Sequence, residues 1–114
     1  MGEASWVIQI AADGMGQAPR ELRQKLIGSY LQQLADSEPL PDGIAFYAEG
    51  VKLAAEGSAV IESLRALEAR GAHLMICTTC LEYFGLRDKV AVGTPGSMME
   101  IVAMQKAAGK VVTI

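Results

Sequence analysis

No run of apolar residues reaches the roughly 18 that a membrane-spanning helix needs, so no membrane partner is expected. Residues Met1 to Ile10 lack a basic stretch ahead of an apolar one. A secretory leader is therefore not expected, and the cytoplasm is the expected location. Positive charge is also scarce: 10 Lys and Arg stand against 13 Asp and Glu, a net charge of −3. Nothing in that balance attracts a nucleic acid, and none is expected as a partner. Histidine occurs once, at His73, and cysteine twice, at Cys77 and Cys80. A closed structural zinc site wants four such ligands. His73 is also too far from Cys77 along an extended chain to share one ion within a single chain. We expect no metal and no cofactor. Linkers, repeats and low-complexity stretches are absent, which leaves one domain over residues 1–114.

What is present is a core. Hydrophobic residues make up 51% of the chain, enough to fold one domain and too many for a disordered segment. Ser5 to Ala12 read as a buried strand. Asp13-Gly14-Met15-Gly16 form a turn, and Pro19 suits a first helical turn. Leu22, Leu26, Ile27, Tyr30, Leu31 and Leu34 then recur at helical spacing. Glu38 to Gly43 break that helix. Ile44 to Ala48 read as the second strand, with Glu49-Gly50-Val51-Lys52 as its exit. Ser58 to Arg70 read as a helix with Val60, Ile61, Leu64 and Leu67 on one side, stopped by Gly71. Ala72 to Ile76 form the third strand, with Cys77 at its carboxyl end. Thr79-Cys80-Leu81-Glu82 has the form of a capping box, which predicts a short helix from Thr79. Lys89 to Val92 read as a brief fourth strand and Gly93 to Gly96 as a loop. Ser97-Met98-Met99-Glu100 is a second capping box, opening a helix to about Ala108. Lys110 to Ile114 are the last strand. Strands alternating with crossover helices predict an α/β fold with a parallel sheet and helices on both faces.

Sites in such sheets lie at the carboxyl ends of the strands. Three loops therefore matter: Asp13 to Gly16, Glu49 to Lys52, and Cys77 to Cys80. A thiol reacts as its thiolate, and amides at a helix start favour an anion. An exposed Cys77 at the strand end could attack a sulfur donor and hold a persulfide. Cys80, three residues on, could resolve it as a disulfide. Lys52 beside Cys77 would lower its pKa, with Glu49 orienting the lysine. The same cysteines also fit two small buried side chains, or a redox sensor. Asp13 to Gly16 and Gly93 to Ser97 could each cradle a phosphate or a small anion, which keeps a flavodoxin-like nucleotide binder as an alternative, although plain turn chemistry explains both. A thioredoxin-like fold places its CxxC earlier, after the first βαβ unit.

The stretch FYAEGVKLAAEGSAVIESLRALEARGAHLMICTTCLEYFGLRDKVAVG resembles the DsrE/DsrF-like family. More narrowly it is similar to the carboxyl-terminal domain of YedF proteins, linked to sulfur and selenium metabolism. The shared features are FY-x-x-GVKL, the helix ending ALEARG, and C-x-T-C-L-x-Y-x-GL-x-DK, continuing through Ser97 to Val102. The resemblance implies a three-layer α/β/α fold with a five-stranded sheet in the order 4-3-2-1-5. It implies that Cys77 accepts sulfane sulfur as a persulfide, as in a sulfurtransferase-like carrier, and that Cys80 is an auxiliary thiol found in the YedF-like subset. Thr78, Thr79, Glu49, Lys52, Gly96 and Ser97 would surround the bound group. It further implies a homo-oligomer, a trimer or hexamer, exchanging sulfur with a TusA-like carrier. The TusA-like Cys-Pro-x-Pro domain that YedF proteins carry is not among these residues, so that partner is expected as a separate chain.

Overall fold

The computed structural model describes residues 5–114; residues 1–4 of the segment read above for a leader lie outside the described residues. Five parallel strands form one sheet: β1 (Trp6–Ile10), β2 (Gly43–Phe46), β3 (His73–Cys77), β4 (Thr94–Gly96) and β5 (Lys110–Thr113). Their order is β4-β3-β2-β1-β5, as the resemblance implies. The helices are α1 (Arg20–Ala35), α2 (Ile61–Ala69), α3 (Thr78–Tyr83) and α4 (Met98–Ala107), with 3₁₀ segments at Ala48–Ala54 and Arg87–Lys89.

All four residues of β2 are buried, as are Leu74 to Cys77 of β3. Strands covered on both faces carry continuous apolar runs rather than alternation, and GIAF and LMIC are such runs. α1 and α2 pack together while linking strands that step one way across the sheet. α4 returns from β4 to β5 in the other direction, and right-handed crossovers put it on the opposite face. There Met104 lies against Gly43 of β2.

Several local expectations change. In α1 only Ile27, Leu31 and Leu34 are buried; Leu22 and Leu26 are exposed. Each residue turns about 100° around a helix, so Leu26 and Leu22 sit well off the seam through Ile27. Lys89 to Val92 do not form the fourth strand. Lys89 closes a 3₁₀ turn, and Val90 makes one isolated antiparallel bridge to Ala55. The strand is Thr94–Gly96, read above as loop, paired with Met75 to Cys77. Pro95 lacks a donor, yet an edge strand tolerates that. The Ser97 capping box is realised, with the Glu100 amide donating to the Ser97 hydroxyl and the Ser97 amide to the Glu100 carboxylate. The Thr79 box is not. β3 passes straight into α3, Cys77 is the cap residue, and no side chain caps it.

Gly50 locks the exit of β2. A Cβ there would fall inside van der Waals contact of the Ile10 carbonyl oxygen, and 2.8 Å from its carbon. Both partners are backbone, so neither can swing aside. Gly50→Ala is expected to cost roughly 2–3 kcal/mol, read as a lower urea midpoint at unchanged slope.

Candidate functional site at the carboxyl ends of the strands

Cys77 ends the strand between β2 and β4, opposite Gly96. The sequence suggested an exposed thiol. The structure corrects this: Cys77 is 2% exposed and belongs to the apolar core. With no loop between β3 and α3, its side chain stays within the packed layer. Cys80, in the first turn of α3, is half-buried and so is the more accessible sulfur. Both are free thiols, three residues apart where β3 passes into α3.

The amide facing a sulfur comes from an unforeseen place. After β2, the Tyr47 amide continues the ladder to the Ile10 carbonyl, and the Gly50 amide bonds back to the Tyr47 carbonyl. Between them Ala48 adopts φ 50°, left-handed and costly for a residue with a Cβ. That turn aims the Ala48 N–H at Cys80 Sγ, 3.1 Å away. The residue type of Ala48 gives no hint of this. The readable cue was Gly50, whose fit against β1 forces the turn.

Burial pushes the Cys80 thiol above its ordinary pKa; the Ala48 N–H pulls it down, and the Cys77 sulfur pushes it up again. The net direction is upward, because one donated hydrogen bond does not offset the loss of solvation. The helix start at this sulfur therefore does not make a resting thiolate of Cys80.

The remaining predicted residues are arranged as follows. Thr78 is half-buried and Thr79 exposed, both in the first turn of α3. Glu49 and Lys52 pair at 3.8 Å, and Lys52 Nζ stands 4.6 Å over the Phe84 ring just after α3. Gly96 is buried beside Met75, and the polar groups of Ser97 are engaged in capping. His73 is exposed at the opposite end of β3 from Cys77. Among the described residues no three His, Cys, Asp or Glu side chains gather.

The Asp13 loop is built for α1 rather than for an anion. The buried Asp13 carboxylate takes Arg23 at 2.8 Å and Arg20 at 3.6 Å, and the Met15 amide donates to the Arg23 carbonyl. The Arg23 hydrogen bond holds the Asp13 carboxyl below its ordinary pKa, against the opposing push of burial. Beside it opens a cleft of about 400 Å³, with Arg20, Gln24, Lys52, Glu56 and Ser58 on its wall. Of these only Lys52 is legible as a site residue in the sequence, since the others carry no motif.

The profile of the DsrE/DsrF-like family matches residues 9–114. The chain belongs to the DsrE/DsrF-like family. No curated protein matches it. Solved structures show the DsrE-like fold again. A protein of unknown function from Methanobacterium thermoautotrophicum, MTH1491, superposes with TM-score 0.68 at 20% identity, over 96% of this chain and 98% of that one. The YchN protein of E. coli gives 0.67 at 17%, over 96% and 99%. The conserved protein BT1422 of Bacteroides thetaiotaomicron gives 0.66 at 16%, over 96% and 95%. At these identities the likeness concerns the fold. No helix among the described residues is long and apolar enough to cross a membrane.

Two outcomes follow. In the native protein Cys80 should be alkylated by iodoacetamide before Cys77, at a rate still climbing past pH 9.0, the ordinary value for a thiol. Peptide mapping against pH checks this; a profile levelling below that of free cysteine would contradict it. Asp13→Asn should cost about 1.5–3 kcal/mol at neutral pH, where a charged hydrogen bond is lost. Asp13 has a lower pKa folded than unfolded, so its contribution is whole above the carboxylate range and fades as pH falls through the folded value. The gap from wild type should start to close below pH 3.8, as denaturation at several pH values would show.

Proposed function

We propose that this DsrE/DsrF-like chain is a sulfur-relay protein that holds sulfane sulfur as a persulfide on the Cys77–Cys80 pair, taken up at Cys80. One observation carries the reading: two free thiols stand three residues apart at the carboxyl end of a central strand, and a backbone amide from the neighbouring strand's exit donates to the accessible one. As Cys80 ionises and attacks a sulfane donor, that amide stabilises the negative sulfur. The bond within the donor breaks, its outer sulfur passes to Cys80, and the donor leaves as a thiolate.

Cys77 stands at the position where the sulfur-relay resemblance implies the acceptor; its burial favours Cys80 as the point of entry. Transfer onward needs a partner that reaches the half-buried sulfur. A TusA-like carrier on a separate chain fits this need, and a trimer or hexamer is the assembly we propose. Tyr83, Met98 and Met99 are exposed apolar side chains on the segments leaving β3 and β4, at the same end of the sheet as Cys80. A reducing cytoplasm would keep the pair as thiols.

Intact mass after incubation with a sulfane-sulfur donor tests the proposal. Early in the incubation wild type and Cys77→Ser should each gain the mass of one sulfur atom, and Cys80→Ser should gain none. Loading retained in Cys80→Ser but lost in Cys77→Ser would contradict entry at Cys80. A wild-type chain that takes up no sulfur would remove the carrier reading itself.

A further inference from the structure

We propose that the pair can discharge its own persulfide: Cys77 closes a disulfide onto Cys80 and the sulfane sulfur leaves as hydrosulfide. This rests on the carrier reading above and adds a product to it. The carrier reading needs one reactive sulfur. The structure supplies a second, at the start of the same helical turn as the first and itself almost wholly buried. Cys77 is the cap residue of α3 and Cys80 lies three residues on, a spacing that places two side chains on one side of a helical turn.

The burial of Cys77 decides its role. At 2% exposure it is shielded from donors and carriers in solution, and the one other thiol of the sequence is that of Cys80. When Cys80 carries a persulfide, Cys77 faces the inner sulfur of the S–S bond while the outer sulfur points towards solvent access. Attack of the Cys77 sulfur on Cys80 Sγ forms the Cys77–Cys80 bond and breaks the bond to the outer sulfur. The proton of the Cys77 thiol goes with the departing sulfur. A thiol plus a persulfide anion thus give a disulfide plus HS⁻, with one negative charge on each side. The two thiol sulfurs are oxidised and the sulfane sulfur is reduced by two electrons, so no outside oxidant is required. An acceptor docked at Cys80 takes the outer sulfur first. Without one, the chain empties itself and stops as a disulfide until a thiol reduces it. Reversal has the same geometry: hydrosulfide attacks the reachable Cys80 sulfur and expels Cys77.

The experiment loads wild type and Cys77→Ser with inorganic polysulfide, desalts both rapidly without added thiol, and follows intact mass with bimane trapping of hydrosulfide. Wild type should lose its adduct, release one hydrosulfide per chain, and settle two hydrogens below the thiol form. Cys77→Ser should keep its adduct, releasing hydrosulfide about tenfold more slowly or less, because the intramolecular attacker is gone. An adduct on wild type that outlasts the experiment without disulfide, or equal release from Cys77→Ser, would overturn the inference and leave the carrier reading standing. A wild type that takes no sulfur from polysulfide fails the carrier reading instead. The reverse reaction then decides alone. Wild type oxidised with diamide should form the Cys77–Cys80 disulfide, and hydrosulfide should convert it to a Cys80 persulfide. Failure to form that disulfide, or to add sulfur to it, overturns the inference.

Discussion

At Gly50 the chain leaving β2 lies against the carbonyl that ends β1, with no room for a Cβ between them. That backbone contact fixes the path of residues 47–50, and the path fixes Ala48 in a left-handed conformation. Ala48 in turn points its amide across to α3, at the sulfur of Cys80. Three adjacent strands are joined in this way, since Ile10 ends β1, Ala48 follows β2 and Cys80 follows β3. The strain at Ala48, of order 1–2 kcal/mol, is held by the surrounding fold. Left-handed backbone at a residue with a Cβ belongs to the class of local strain found at functional sites.

The sheet was legible because its central strands are short apolar runs separated by amphipathic or punctuated segments. Ile44 to Ala48 and Ala72 to Ile76 read as strands, and Gly71 as a helix stop; its φ of 107° and the Ala72 to Leu67 backbone bond show the motif in place. The strand order came from the family resemblance, since spacing alone does not fix on which side of β1 the last strand sits. The edge was misread for a physical reason. Lys89 to Val92 have strand-like residues and Thr94-Pro95-Gly96 have loop-like ones, but an edge strand has to bond on one side only. Pairing with β3 decided the matter over propensity.

The site was half legible. The two thiols and their strand end followed from the Cys-Thr-Thr-Cys spacing and the place of the third strand. Which sulfur is accessible did not. Exposure of Cys77 depended on a loop between β3 and α3, and the capping form of Thr79 to Glu82 suggested one. The chain instead enters the helix at once, so the first cysteine stays in the core and the second turns outward. The donor to sulfur was illegible for a different reason: it is a backbone group, supplied by an alanine, in a turn set by a glycine's neighbour in space. The ring of Phe84 under the Lys52 ammonium had no cue in the sequence either.

Chemically, the account depends on the amide of Ala48 being bonded to the sulfur of Cys80 in solution. Burial disfavours the thiolate and the amide supports it, so the charge that forms during sulfur uptake has a fixed partner when it appears. Nitrogen-15 NMR of the Ala48 amide across the titration of Cys80 tests this most directly. The Ala48 proton resonance should move downfield with the ionisation of Cys80, and the movement should vanish in Cys80→Ser. A resonance that ignores that ionisation, in an amide that exchanges freely with water, would contradict the account.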